Sequence, residues 1–127
     1  EPGSTGTVAT GRGLGLRGGK RAAAGTGPGA TAAEVIDARG VIVQPGGVDS
    51  HCHIEQMSGA GLMNADTFQT ATRSAAMGGT TTTISFAAQH AGQKMRQVVG
   101  DYAALAEKGA VIDHAFHMIV ADTRNGK

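Results

Sequence analysis

The sequence predicts an α/β fold with a parallel sheet. From residue 48 onward, β-branched runs alternate with segments of helical periodicity, in the order strand, loop, helix, strand, loop, helix, strand. Glycine pairs or single glycines punctuate the boundaries, at Gly46-Gly47, Gly78-Gly79 and Gly109. Strands that alternate with helices imply helical crossovers between parallel neighbours, which both doubly wound sheets and barrels satisfy.

Taken in order, residues 1–33 are Gly, Ala and Thr with Val8, Leu14 and Leu16 as the large aliphatics. So little apolar surface does not offset the entropy of ordering, so this stretch reads as loop or linker, with a weak strand at 13–16. Order is expected to begin near Glu34, with short strands at 34–37 and 41–44 around a turn at 38–40. Pro45-Gly46-Gly47 is a strong break, and 48–54 has strand character. A loop spans 55–63. Residues 64–66 can cap a helix reaching Met77, with Phe68, Ala71, Ala75 and Ala76 as its apolar stripe. The run 80–86 is a strand rich in threonine, and 87–92 is a loop. A second helix is expected over 94–108 and a further strand over 111–120. The domain division expected is 1–44 and 45–127.

Composition excludes several functions. The chain has 127 residues, 11 Lys and Arg against 10 Asp and Glu, and a net charge of +1. It therefore lacks the basic footprint of a nucleic-acid or anionic-membrane binder. Aromatic residues make up 3%, too few for base-stacking platforms. A single cysteine, Cys52, excludes an internal disulfide and reads as a small buried hydrophobe. No apolar run is long enough for a membrane span, and no secretory signal is evident, so a cytoplasmic protein is expected. The start at Glu1 and the stop just after a hydrophobic run suggest a piece of a longer chain.

Chemistry concentrates at His51 and His53. Alternate positions on a strand share a face, so two imidazoles can converge on one metal such as zinc. Asp49, two residues earlier, is expected on the same face, orienting a ligand from behind. Taken alone, such a pair reads more readily as two ordinary polar strand residues, and two donors fall short of the three or four that zinc needs. His90 reads as a surface-loop residue. His114 and His117 are three apart, face opposite sides and read as core or surface residues.

The wider context is more specific. Residues 35–40, then Val43-Gln44-Pro45-Gly46-Gly47-Val48-Asp49-Ser50-His51-Cys52-His53-Ile54-Glu55, resemble the opening of the amidohydrolase superfamily, dihydropyrimidinase and hydantoinase branch. Gly78-Gly79-Thr80-Thr81, Ala87-Ala88-Gln89-His90 and Phe116-His117-Met118-Ile119 are similar to it in the same order. The likeness covers residues 34–122. It implies the N-terminal part of a (β/α)8 TIM barrel, about three of eight strands, preceded by a piece of a small β-sandwich. It also implies a hydrolase of cyclic amide bonds using two divalent metals, most commonly zinc. His51 and His53 would hold one metal. A carboxylated lysine, further histidines and a proton-handling aspartate would lie outside this chain, since Lys94 and Lys108 fall on presumed outer helices. No catalytic residue is then expected within the chain, and the piece alone is expected to be inactive.

Glu55 stands where related enzymes acting on acidic rings carry an arginine, so the resemblance favours a neutral ring such as a dihydropyrimidine or hydantoin. Glu55, Met57, Leu62 and Met63 are the candidate substrate loop, with ordinary loop packing as the alternative. The expected partner is a small cyclic amide, with no nucleic acid or membrane, and a homo-oligomer in the intact enzyme. The competing readings are a non-enzymatic scaffold of the same fold and a decayed fragment.

Overall fold

The computed structural model describes residues 13–18, 20–25 and 33–125, in two compact units, Glu1–Val43 and Gln44–Lys127. Residues 1–12 and 26–32, read from sequence as loop, lie outside the described residues.

In the first unit, β1 (Gly13–Arg17) pairs antiparallel with β2 (Lys20–Gly25). The weak strand expected at 13–16 is present, but its partner was expected to be loop. Backbone ladders need no large side chains, so Gly and Ala can form one once the register is set. Leu14 opposes Ala24 and Gly15 opposes Ala23, an irregularity after Gly15 lets β2 carry one extra residue, and Gly18 turns with φ +58°.

The strands expected at 34–37 and 41–44 do not form. Val35, Ile36, Val41 and Ile42 stay 66–81% exposed. A β-branched run becomes a strand only with a partner edge, and none of the described strands offers one here. Instead, a local turn forms. The Asp37 carboxylate accepts from the Arg39 backbone N–H and guanidinium, which holds its pKa below the usual carboxylate range. Val41 N–H then closes on the Ala38 carbonyl, with Gly40 at φ +81°.

The second unit runs β3 (Gly47–Cys52), α1 (Phe68–Met77), β4 (Thr80–Ala88), α2 (Met95–Gly109), β5 (Asp113–Ile119) and a 3₁₀ turn (Thr123–Asn125). β4 is central and pairs parallel with β3 and β5. The helices pack on β4 and on each other, so both lie on one face of the sheet. The expected α/β order is therefore present. The boundaries shift: Ile54 falls outside β3, Ala87 and Ala88 extend β4, and β5 starts at Asp113.

α1 starts later than its expected cap. Thr67 is the N-cap, and its hydroxyl and that of Thr70 form a reciprocal capping box, while Asp66 accepts from the Thr70 hydroxyl. α2 begins after Lys94 without a side-chain cap and ends at Gly109, as expected from the sequence. There, a Cβ would lie 3.1 Å from the Gln69 backbone nitrogen, so the glycine lets the two helices approach.

The core gathers Ile54, Phe68 and Ala106, with Cys52, Ala71, Tyr102, Ala110 and Phe116 against them. Burial pushes the Cys52 thiol up, and the Asp49 charge adds to this, so Cys52 favours the protonated thiol beside the core. Buried Gln89 ties the ends of β4 and β5. Its Oε1 accepts from the Ala121 and Asp122 N–H groups, and its Nε2 donates to the Gln93 and Asp122 carbonyls. Thr83 and Ser85 on β4 are also buried, and neither hydroxyl has a partner among the described residues. Ser85 pairs with Cys52 on β3 and Phe116 on β5, which places it on the helix-facing side.

Two stability predictions follow from this packing. A Cβ at Gly46 would run into the Thr81 side chain. Gly46→Ala should therefore cost about 1–3 kcal/mol in denaturant unfolding, and an unchanged midpoint would show that β4 yields freely there. Ser85→Ala removes an unsatisfied buried hydroxyl and should stabilise the chain by about 1 kcal/mol; a loss of stability would mean that the hydroxyl is bonded.

Candidate metal centre

His51 is the next-to-last residue of β3, and His53 directly follows the strand's end. Functional groups of parallel sheets collect at this C-terminal edge, because the loops that can hold a ligand start there. Their ring centroids are 5.4 Å apart, and both rings are exposed. Phe86 of β4 forms the floor. His53 stacks on it at 4.8 Å with an interplanar angle of 13°, and His51 meets it edge-on at 4.6 Å.

His53 Nδ1 lies 2.6 Å from Gln56 Oε1. An amide oxygen only accepts, so Nδ1 carries the proton and Nε2 keeps its lone pair. That is the usual arrangement of a metal-binding imidazole, with the second nitrogen fixed by an outer partner. The donor set therefore fits a divalent cation such as zinc, which takes neutral imidazole nitrogen. Among the described residues, no third His, Cys, Asp or Glu joins the pair to make a group able to hold a metal.

Asp49 departs from the expected geometry. A one-residue irregularity separates it from Cys52: Asp49 pairs with Thr83 and Cys52 with Ser85, so β3 uses three steps where β4 uses two. The extra residue shifts the alternation, and Asp49 falls on the Thr83 and Cys52 side rather than with the two rings. Its carboxylate accepts from the His51 backbone N–H at 3.0 Å, so it reaches the pair through the main chain.

The loop after His53 is tightly organised. Glu55 has φ +48°, and its Oε2 accepts from the Phe68 N–H at 2.8 Å, at the first residue of α1. Sequence reading gave Glu55 a substrate-facing or solvated position and had no sign of this helix contact, which joins residues 13 apart. Met57 and Met63 form an antiparallel bridge, and Ser58 closes a turn by accepting from Gly61 and Leu62 N–H groups. Glu55, Met57 and Met63 border a cleft of about 220 Å³ shared with His90, Tyr102 and Leu105. Leu62 is outside it and 71% exposed. Burial pushes the Tyr102 phenol up, with a backbone hydrogen bond from Ala88 opposing it.

His114 and His117 face opposite sides, as expected. His114 is half-buried beside Phe68 and Phe116, on the helix-facing side. His117 lies 5.1 Å from Phe86, on the face that carries the pair. Sequence reading did not connect Phe86, Gln56 or His117 with the pair. The i, i+3 spacing of His53 and Gln56 was the one available hint.

The fold and the pair define a parallel α/β protein with a histidine pair where its first parallel strand ends. No family model matches the chain. It is 52% identical over 92 residues to a D-hydantoinase of Streptomyces coelicolor, covering 72% of this chain and 20% of that protein. A D-hydantoinase of Rhizobium radiobacter is 42% identical over 122 residues, covering 92% and 26%. Among solved structures, a D-hydantoinase superposes with TM-score 0.80 at 38% identity, covering 86% of this chain and 24% of that one. A dihydropyrimidinase from Brevibacillus agri gives TM-score 0.76 at 39% identity, covering 84% and 23%. Over the residues it spans, the chain belongs to the D-hydantoinase and dihydropyrimidinase family, an enzyme family. It spans about a quarter or less of the length of the relatives it matches.

The contact at the start of α1 is directly testable. Glu55→Ala should cost about 1 kcal/mol of stability, because a helix N–H loses a charged acceptor. Circular dichroism during urea unfolding measures it, and a change well below that would assign Glu55 to solvent.

Proposed function

We propose that this chain contributes the first metal ligands of a hydrolase that opens cyclic amides in neutral rings such as dihydropyrimidines or hydantoins. The supporting observation is the convergence of His51 and His53 over Phe86, with the His53 tautomer set by Gln56 so that Nε2 is free to ligate. The names of the relatives agree with this class of substrate. When bound, a divalent metal, zinc above all, supplies an acidified water and a polarised amide carbonyl. The chain's own part is to hold two neutral imidazoles in place and to fix their backbone. Asp49 serves this from behind through the His51 N–H.

In the same reading, residues 45–127 are the first β/α units of a (β/α)8 barrel and residues 1–44 belong to a small β-sandwich. The loop carrying Glu55, Met57, Leu62 and Met63 shapes the substrate side. In this reading Glu55, two residues past His53 in the sequence, disfavours an anionic ring. The whole enzyme is cytoplasmic and a homo-oligomer. Among the described residues, no helix is long and apolar enough to cross a membrane. The remaining ligands and the proton-handling aspartate come from later strands, so the chain alone is inactive.

Three measurements test this. The chain should show saturable, weak zinc binding in calorimetry that a His51→Ala, His53→Ala double variant lacks; equal binding by both removes the argument for the pair. Exchanged for the matching segment of a whole D-hydantoinase, the chain should support hydantoin hydrolysis that depends on both histidines. The chain alone, given zinc and bicarbonate, should not turn over hydantoin or dihydrouracil. Turnover by the isolated chain, or a chimera indifferent to both histidines, would overturn the reading.

A further inference from the structure

Between Asp49 and Cys52, β3 carries one residue more than β4 opposes, and Ser50 and His51 drop out of the paired register. The peptide joining them still needs partners for its carbonyl and its N–H. Side chains supply both. The His51 N–H donates to Asp49 Oδ1 at 3.0 Å, and the Ser50 carbonyl lies 3.0 Å from His117 Nε2. A carbonyl oxygen only accepts, so His117 carries its proton on Nε2. His117 belongs to β5, so the bond passes over β4, alongside Phe86, and ties the outer strands together on the face that bears the histidine pair.

We propose that His117 is a positioning residue for the pair: its Nε2–H, with Asp49 on the opposite end, pins the peptide between Ser50 and His51 and so fixes the direction in which the His51 ring leaves β3. The φ angle of His51 sets the direction of its Cα–Cβ bond relative to that peptide plane, so a pinned plane gives the ring a fixed reference. A bulge relaxes the ladder that would otherwise prevent such rotation. Asp49 alone restrains one end. This inference rests on the metal reading of the pair for its purpose, but the contact itself does not need a metal.

The test uses the full 127-residue chain. In the metal-free protein, long-range ¹⁵N–¹H spectra should show His117 as the Nε2–H tautomer. His117→Leu should shift the His51 amide resonance and weaken the nuclear Overhauser contacts of the His51 ring with Phe86. His117→Gln places an amide N–H where Nε2 stood and should restore both. Zinc affinity should fall about 10- to 100-fold in the Leu variant, the usual scale for losing an outer partner of a ligand, and return largely in the Gln variant. An Nδ1–H tautomer, Leu and Gln variants that behave alike, or a spectrum without dispersed strand amides would each overturn the proposal. If wild-type protein binds no zinc, the metal reading fails by itself, and the tautomer and the His51 amide still decide the role of His117.

Discussion

The second unit depends on β4 serving both faces of the sheet at once. It is the central strand, paired parallel on each side. Parallel pairing on both sides demands two crossovers, and both helices fall on one face, where they meet each other. The face they cover receives Thr83, Ser85 and Ala87, all buried. The other face receives Phe86, against which His51, His53 and His117 rest. A period of two along one strand thus divides packing from chemistry.

This division explains why polar residues are tolerated in unusual places. Thr72 is fully buried in α1, yet its hydroxyl donates to the Phe68 carbonyl and accepts from the Val111 N–H, joining α1 to the approach of β5. Gln89 does the same between strand ends with all its polar atoms engaged. Thr83 and Ser85 lack such partners among the described residues, and their cost is set against the burial of Phe68, Ile54 and Ala106 in the same unit. Threonine at Thr80–Thr83 suits a strand by its branching, whichever way each hydroxyl faces.

The stretch from Asp49 to Glu55 shows how a short segment serves structure and chemistry together. Asp49 and Glu55 both spend their carboxylates on backbone N–H groups, of His51 and of Phe68. Between them stand the two histidines, and Ile54 drives into the core. The pair is therefore held from three sides: a bulge behind it, a buried anchor between it and α1, and an aromatic floor beneath. The likeness to D-hydantoinases at 52% identity falls on a chain that spans a fifth of that relative, and what this segment holds is a framed pair of imidazoles that no third His, Cys, Asp or Glu among the described residues joins to hold a metal.

The sequence by itself determined the α/β order, the helix ends at Gly78 and Gly109, the paired histidines at a strand end and the opposition of His114 to His117. Each depends on local periodicity or on a glycine that neighbouring residues already define. It also carried the family likeness, because the Pro45-Gly46-Gly47 break and the His51-x-His53 spacing are contiguous. Only the tertiary structure decided that Gly13–Arg17 and Lys20–Gly25 would pair while the more apolar 34–37 and 41–44 would not, since a strand exists only with a partner edge. It decided that Asp49 turns away from the two rings, because the bulge arises from register against β4 and leaves no trace in the spacing. It also decided that Glu55 meets α1 and that His117 reaches Ser50, contacts between residues 13 and 67 apart in the chain. Local spacing fixes which face a residue prefers, but hydrogen bonds between distant elements depend on how the strands are stacked, and that is set by packing.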